Sequence, residues 1–349
     1  MRPTYFLERG NYDQRGKEVP VQALPRLLEY GKKYPANRLG LTQWLFDPKH
    51  PLTARVYVNR LWQTHFGTGI VDTVEDFGTQ GSNPTNLPLL DYLAVEFRRS
   101  GWDIRHMQKL IVMSATYRQS SNIPRDLLEK DKNNILLARG PRYRLPAEMI
   151  RDNALVAAGL LDRTIGGDAV FPYQPDGVWK GIGTGPNVYP TEVPNDQMHR
   201  RTMYTYVKRN ALFPTLQVFD VQDRNVSSVV RKVSNTPLQA LVLLNDPQYM
   251  EAYRKLAERA IKLNPDADQQ IVTMFRLATR RHPMPREMAV LRKYRAAEAQ
   301  RLAAAPDEVK KILNIGVAPA DAKLDPDQVA TMTMVTATVM NTPDAYSLR

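Results

Sequence analysis

Apolar residues recur at the spacing of an α-helix along most of the chain. Between Leu52 and Gly67, one set falls at i, i+3, i+4 and i+7 and therefore shares one helix face: Val58, Leu61, Trp62 and His65. A second helix of this kind ends at Gly101, and Asp103 is placed to cap a third. The pattern predicts three consecutive helices with glycine and aspartate at their ends.

Proline and aspartate mark the limits of the later helices. Pro146 begins a predicted helix that extends to Gly166. Pro237 lies in the first turn of another, and Asp246 closes that helix and caps the next. The remainder, residues 266–340, is predicted to form three or four amphipathic helices, with breaks at three prolines: Pro283, Pro306 and Pro326.

Strand patterns are few. Residues 203–207 alternate aromatic and other side chains and are the best strand candidate, and a small β element is expected over Thr4 to Arg9. The predicted fold class is mainly α: an irregular multi-helix body with at most a minor β element. Six glycines and five prolines lie in residues 166–194, a long central loop. We expect one module over residues 1–349, with two possible subdomains, 1–165 and 195–349, joined by this loop.

Composition removes several classes of chemistry. The chain has no cysteine, which excludes disulfides, thiolate metal sites and covalent c-type haem attachment within it. No metal site is predicted. No apolar run of about 20 residues occurs, so no membrane span is expected. The net charge of +12 favours polyanions, but the basic doublets are scattered, so we expect nucleic-acid binding to be unlikely.

Candidate catalytic residues fall in two places. Asp220 and Asp223 lie close together beside Arg224, and a glycosidase requires two carboxyl groups at a defined separation. The alternative is a structural ion-pair network that fixes a loop and extends to further residues: Arg151, Asp152, Arg200 and Arg201.

The second candidate is His65, with Asp76 near it in sequence. A histidine in this setting is suited to act as a base or a ligand. The alternative is a hydrogen-bonded histidine of the core.

The loop from Phe171 to Trp179 combines aromatic side chains with an aspartate, which is typical of sugar stacking and hydrogen bonding. Its candidate ligand-binding residues are Tyr173, Asp176 and Trp179. Arg118 or Arg201 could bind a sulfate or carboxylate group, and Arg224 is a further candidate ligand-binding residue. The alternative is that the loop only anchors itself in the helical body.

Several motifs together resemble one known family. They include residues 59–67, 76–81, 114–121 and 172–179, together with the block from Val218 to Asp246. The chain resembles the domain of unknown function fifteen-fifty-three, the C-terminal module of planctomycete-type cytochrome-c-associated proteins. The resemblance extends from about Thr4 to the C-terminus.

This resemblance implies a secreted or periplasmic protein, although no signal peptide occurs in this chain, which looks like a C-terminal fragment or a short variant. The implied partners are upstream haem and companion domains and a sulfatase-like protein. Any haem would belong to the separate upstream domain, so no cofactor is expected here. The family has no established activity. The sequence departs from its usual residues at five positions: Asn86, Gln108, Asn225, Ser227 and Val230.

Three functions are therefore considered. The first is a non-catalytic, extracytoplasmic scaffold or binding module for a glycan or a partner domain, associated with a c-type cytochrome and polysaccharide utilisation. The second is a hydrolase that acts on polysaccharide through Asp and His residues. The third is a basic protein that binds polyanions or nucleic acid. We expect the first, and hence a protein that is not an enzyme.

Overall fold

A computed structural model describes residues 3–175, 177–178, 197–209 and 211–348. Contacts divide the chain into two compact units, Met1–Pro141 and Arg142–Arg349, which we call the N-terminal and C-terminal units. Within the described residues the secondary structure is almost entirely helical, with two small two-stranded sheets. The predicted mainly α fold class is confirmed.

In the part of the N-terminal unit that the structure describes, there are one hairpin and six α-helices. The elements are β1 (Thr4–Leu7), β2 (Arg15–Val19), α1 (Arg38–Leu45), α2 (Thr53–Phe66), α3 (Leu87–Arg99), α4 (Ile104–Val112), α5 (Ala115–Arg118) and α6 (Arg125–Lys130). Strand β1 pairs antiparallel with β2, which confirms the minor β element expected at this end of the chain.

The predicted limits of α2 and α4 are confirmed at atomic detail. Gly67 ends α2 with φ of 82°, a left-handed conformation in which glycine has no Cβ to clash. Asp103 accepts hydrogen bonds from the backbone N–H groups of Arg105 and His106, so it caps α4. Helices α2, α3 and α4 pack around one core, whose fully buried members include Val58 and Met107.

Among its described residues, the C-terminal unit contains nine α-helices and one small sheet. The elements are β3 (Tyr143–Arg144), α7 (Ala147–Ala158), α8 (Pro214–Val218), α9 (Pro237–Asn245), α10 (Pro247–Leu263), α11 (Ala267–Thr279), α12 (Pro285–Ala303), α13 (Pro306–Leu313), α14 (Pro326–Met340), α15 (Pro343–Tyr346) and β4 (Ser347–Leu348). The predicted three or four helices of residues 266–340 are the four helices α11 to α14.

Helix α10 is the centre of this unit. It packs against α7, α9, α11, α13 and α14, and residues around its whole circumference are buried. Asp246 caps it by accepting from the N–H of Gln248 at 2.9 Å, as the sequence predicts. Small residues on α10, such as Ala257 and Ala260, are fully buried and allow its neighbours to approach closely.

Two predictions about this unit were wrong. Helix α7 begins after Pro146 but ends at Ala158 and not at Gly166, because Gly159 adopts φ of 76° and breaks the helix. Residues 203–207 do not form a strand: Thr202–Tyr204 is a 3-10 helix, and Thr205 makes only an isolated bridge with Val170. The backbone N–H and the hydroxyl of Thr202 both donate to Asp152, and this local bonding competes with a strand.

The boundary between the compact units lies before the central loop. Helix α7 precedes residue 165, yet it packs within the C-terminal unit, because its buried alanines contact α10. The expected subdomains 1–165 and 195–349 stay a prediction, since residues 179–196 of the loop lie outside the described residues.

Candidate functional site

Asp220 is the centre of a hydrogen-bonded cluster. Its Oδ2 accepts from Nη2 of Arg144 at 2.6 Å and from the N–H of Ser234 at 2.8 Å, and its Oδ1 accepts from the Ser234 hydroxyl. Gln239 donates to the same hydroxyl. The backbone of Asp220 is left-handed, with φ of 63°. Asp220 therefore fixes the loop that follows α8, as the structural alternative predicts, although Arg144 and not Arg224 is its partner.

The residues beside Asp220 are not joined to it. Asp223 is exposed and accepts only from the N–H of Asn225, at 3.1 Å, which is a local turn bond. Arg224 is exposed, with φ of 58° and no ion-pair partner among the described residues. No contact in this part of the structure pairs the two carboxylates as a glycosidase would require.

His65 and Asp76 occupy separate settings within the N-terminal unit. The ring of His65 meets Tyr117 edge-on at 5.8 Å, its Nε2 is buried without a partner, and burial lowers its pKa. Asp76 accepts from the N–H of Gly78 at 2.7 Å and so stabilises a turn. No hydrogen bond between His65 and Asp76 occurs among the described residues. Their predicted role as base or ligand stays a prediction.

Of the predicted ligand-binding residues, Tyr173 is engaged within the protein. Its hydroxyl donates to Oε2 of Glu251 at 2.5 Å, and burial raises its pKa. Asp176 and Trp179 lie outside the described residues. Arg118, at the end of α5, and Arg201 are exposed, with no side-chain partner among the described residues. The predicted site is therefore not assembled by any contact that the structure describes.

Glu251 on α10 is a buried acceptor that sequence reasoning missed. It is 1% exposed, and besides Tyr173 it accepts from Nε2 of His199 at 2.9 Å and from two backbone N–H groups, those of Val317 and Ala318. Burial alone would raise the pKa of this carboxyl, but the hydrogen bonds outweigh burial and lower it. Glu251 is held as a carboxylate.

The segment that carries His199 is fixed by a buried arginine. Arg151 on α7 donates to the carbonyl oxygens of Met198 and Arg200 and to the hydroxyl of Thr202. Its Nε donates to Gln248 on α10 at 2.8 Å. The guanidinium thus ties residues 198–202 to two helices, and this arrangement brings His199 to Glu251. Such a buried His–carboxylate pair orients the imidazole.

The N-terminal unit contains a cavity of about 350 Å³. We call it the α2 cavity. Its apolar lining consists of Trp62, Phe66, Ile70, Leu89, Ile135 and Leu137. Trp62 and Phe66 lie one turn apart on α2, and their rings stack with centroids 4.0 Å apart and planes 13° from parallel. Both aromatic side chains of the lining therefore come from one helix.

Polar side chains surround the same cavity. They are Thr68, Asp72, Thr85, Asn86, Asn133 and Asn134. Asn86 caps α3 through its Oδ1, which accepts from the N–H of Leu89 at 3.0 Å, and its amide NH₂ has no partner among the described residues. Asp72 and Asn133 are exposed, and their side chains make no hydrogen bond in this part of the chain. The amide NH₂ of Asn86 and the side chains of Asp72 and Asn133 are therefore free to bind a ligand.

Sequence reasoning singled out Trp62, which lines this cavity, but as a core residue and not as part of a binding site. The helical spacing of Trp62 marked it as a core residue, which is correct, because it is 7% exposed. Asp72 and Asn133 belong to loops that are distant in sequence, so no local pattern joins them. None of the residues that sequence analysis selected for sugar binding and that the structure describes lines this cavity.

A second cavity, in the C-terminal unit, is basic. It has a volume of about 580 Å³ and is lined by Tyr206, Val207, Lys208, Arg209 and Asn225. Its two cations have no ion-pair partner among the described residues.

The described residues contain no cluster of three or more His, Asp or Glu side chains that could hold a metal ion. Among the same residues, no helix is both long and apolar enough to cross a membrane.

Comparisons with known proteins give one match. The family described as PSD1, a protein of unknown function (DUF1553), matches residues 37–295. This span contains the α2 cavity, the Asp220 cluster and the His199–Glu251 pair. A search of curated proteins and a search of solved structures found no significant match. Because the family match covers well over half of the 349 residues, the chain belongs to the DUF1553 family.

Proposed function

We propose that this chain is a non-catalytic binding module that takes a glycan in the α2 cavity. The observation that carries the proposal is a cavity lined both by the stacked pair Trp62 and Phe66 and by unpaired polar groups. A sugar ring has apolar C–H faces and a periphery of hydroxyl groups. A lining that combines aromatic rings with carboxylate and amide groups complements both features.

The size of the cavity supports the same ligand class. A volume of about 350 Å³ lies at the lower end of the range for ligand pockets, which is roughly 300–1,000 Å³. Carboxylate Asp72 can only accept hydrogen bonds, whereas the amides of Asn86 and Asn133 can donate, and sugar hydroxyls both donate and accept. One or two sugar units fit this arrangement.

The contacts of two of the four catalytic candidates, Asp220 and Asp76, support a binding role over catalysis. Asp220 is held by Arg144 and Ser234. Asp76 stabilises a turn. Each of these side chains has a structural partner that explains its presence.

The family resemblance supports a cellular setting for this binding. We propose that the chain acts outside the cytoplasm, beside haem and companion domains and a sulfatase-like protein, in polysaccharide use. Membership of the DUF1553 family supports this setting only by association. Co-purification of the chain with recombinant haem and companion domains would test it, and absence of any retention would contradict it.

An oligosaccharide array tests the glycan proposal directly. The purified chain is expected to bind a subset of the oligosaccharides, and soluble forms of these should shift the indole N–H signal of Trp62 in NMR spectra. An array with no binding, or binding that leaves the Trp62 signal unchanged, would contradict the proposal.

One observation favours a hydrolase as the second candidate. His199 lies 2.9 Å from Oε2 of the buried Glu251, and such a pair can orient a general base. In this candidate, His199 would activate water. If a substrate screen finds hydrolysis, His199→Ala should abolish it and Glu251→Gln should reduce it. Full activity in His199→Ala would exclude this role.

The basic cavity supports the third candidate, binding of polyanions. Lys208 and Arg209 line it together with the amide of Asn225. If heparin binds there, its affinity should fall steeply as salt rises. Affinity that does not change with salt would exclude a mainly electrostatic mode.

A further inference from the structure

The N-terminal unit has an open groove whose walls are aromatic. Its volume is about 500 Å³, and its apolar wall consists of Phe46, Val56, Tyr57, Phe97, Trp102 and Ile104. The aromatic rings contact one another in sequence: Trp102 meets Phe46 at 4.7 Å and Phe97 at 5.0 Å, and Phe97 stacks on Tyr57. Phe46 is 50% exposed. The groove thus offers an apolar surface to solvent.

A buried donor without a partner lines the same groove. His50 is 7% exposed, and its Nε2 has no hydrogen-bond partner among the described residues. Its Nδ1 accepts from the backbone N–H groups of Leu52 and Thr53, at 3.3 and 3.2 Å. Nδ1 also lies 2.9 Å from the Thr53 hydroxyl oxygen. With Nδ1 accepting from the two backbone N–H groups, the neutral ring carries its proton on Nε2. An unpaired buried donor of this kind is unfavourable unless a ligand accepts from it.

A cation completes the lining. Arg60 is one of the groove residues, and its guanidinium is exposed, with no ion-pair partner among the described residues. By contrast, Arg55, on the same helix, is bound to Asp91 at 2.6 Å. Arg60 is therefore free to meet an anion at the groove.

The backbone of the wall is strained. Trp102 has φ of 63°, a left-handed conformation that is unfavourable for a bulky residue. Strain of this kind persists where the surrounding structure holds it, and it is enriched at ligand sites. The conformation places the indole between Phe46 and Phe97 in the wall of the groove.

From these features we infer that the groove binds an aromatic carboxylate, with the ring of the ligand against Trp102 and Phe97 and its carboxylate accepting from His50 and Arg60. This site is separate from the α2 cavity and does not depend on glycan binding. Aromatic walls favour an aromatic body, because rings pack at offset or edge-on angles. The charge of Arg60 favours an anionic acceptor, and a carboxylate can also accept from the neutral Nε2–H of His50.

The first test compares two probes of the same shape. We expect 4-phenylbutyrate to bind the purified chain with a dissociation constant on the order of 0.5 mM by calorimetry. The alcohol 4-phenylbutan-1-ol lacks the carboxylate and should bind about tenfold more weakly. Absence of binding, or equal affinity for the two probes, would overturn the inference.

Variants then test the two donors separately. Arg60→Gln should weaken phenylbutyrate about tenfold and leave the alcohol unchanged, whereas Arg38→Gln removes the same charge from exposed α1 and should change neither. His50→Asn keeps an acceptor near the position of Nδ1 and removes the Nε2 donor, so it should weaken both probes. Equal phenylbutyrate affinity in the wild type and Arg60→Gln would contradict the placement of the carboxylate.

The NMR signal of His50 tests the contact with the ligand independently of the measured affinity. In the wild type, phenylbutyrate should move the His50 Nε2–H signal downfield, because the donor gains an acceptor. Val56→Phe fills the groove and should abolish both the shift and the binding. A shift that persists in a folded Val56→Phe variant would overturn the inference.

Discussion

Arg144 donates from Nη2 to Oδ2 of Asp220 at 2.6 Å, across 76 positions of sequence. The pair is largely buried, with the Arg144 side chain 10% exposed and that of Asp220 19% exposed. The charge of Arg144 also lies over the ring of Phe219, at 5.6 Å from its centroid. These contacts explain the role of Asp220, which anchors the loop that follows α8.

Asp220→Asn should therefore destabilise the protein without affecting ligand binding in the N-terminal unit. The substitution removes the counter-ion of a partly buried guanidinium and replaces an acceptor beside Ser234 with an NH₂ group. We expect the free energy of unfolding in urea to fall by about 2 kcal/mol. Asp223→Asn is the matched control, and it should have no measurable effect because Asp223 is exposed. Equal stability in both variants would contradict the structural role of Asp220.

Sequence reasoning found the importance of this loop but not its contact. The opposite charges of Asp220 and Arg224, four positions apart, suggested an ion pair within the loop. The true partner, Arg144, precedes α7, and only the folding of α7 against the rest of the C-terminal unit brings it near. A contact across 76 residues leaves no periodicity in the sequence.

Stability should depend on pH through two histidines. Burial lowers the pKa of both His50 and His65 below the usual value of 6.5. At pH values between the folded and unfolded pKa values, the unfolded chain binds protons that the folded chain does not. The free energy of unfolding is therefore not reduced by these histidines at pH values above their unfolded pKa. As the pH falls below about 6.5, the free energy of unfolding should decrease. The decrease should end once the pH is below the pKa values of His50 and His65 in the folded protein.

Urea unfolding at about pH 7.5 and at about pH 5.5 measures this loss. His65→Leu removes one titrating group and should make the difference between the two pH values smaller. His282→Leu is the control, because the His282 side chain is exposed and has no hydrogen-bond or ion-pair partner among the described residues. A pH dependence that is unchanged in His65→Leu would contradict the burial argument.

Gly316 should be the least tolerant glycine near Glu251. Its φ is 85°, and a Cβ there would lie 2.4 Å from Cδ of Glu251. Gly166 has nearly the same φ, 86°, but a Cβ there would meet nothing within 4 Å. Gly316→Ala should thus lower the thermal midpoint well below that of Gly166→Ala, since both carry the backbone cost and only one disturbs the buried carboxylate. Equal midpoints would contradict the close packing around Glu251.

The helices were predictable because their signals are local. Asp103, Gly67 and Asp246 act at helix ends as capping rules require, and the prolines separate α12, α13 and α14. Residues 203–207 misled the prediction, because alternation of side chains cannot reveal that Thr202 bonds to Asp152.

Helix α10 shows why the buried polar groups were missed. Glu251, Arg254 and Glu258 recur at i, i+3 and i+7, which is the pattern of a solvated helix face. All three are at most 1% exposed, because they find partners inside the protein: Arg254 binds Glu258 at 2.7 Å. Charge alone does not indicate whether a helix face meets water or paired polar groups.

The central claim is that the α2 cavity binds sugar through Trp62, Phe66 and the free polar groups of its lining. The most direct measurement is the dissociation constant of an oligosaccharide selected on the array, for the wild type, Asp72→Asn and Glu75→Gln. Asp72 lines the cavity, whereas Glu75 is an exposed acid three positions later that does not. We predict that Asp72→Asn weakens binding about tenfold and that Glu75→Gln leaves it unchanged. Equal affinity in the wild type and both variants would contradict the account.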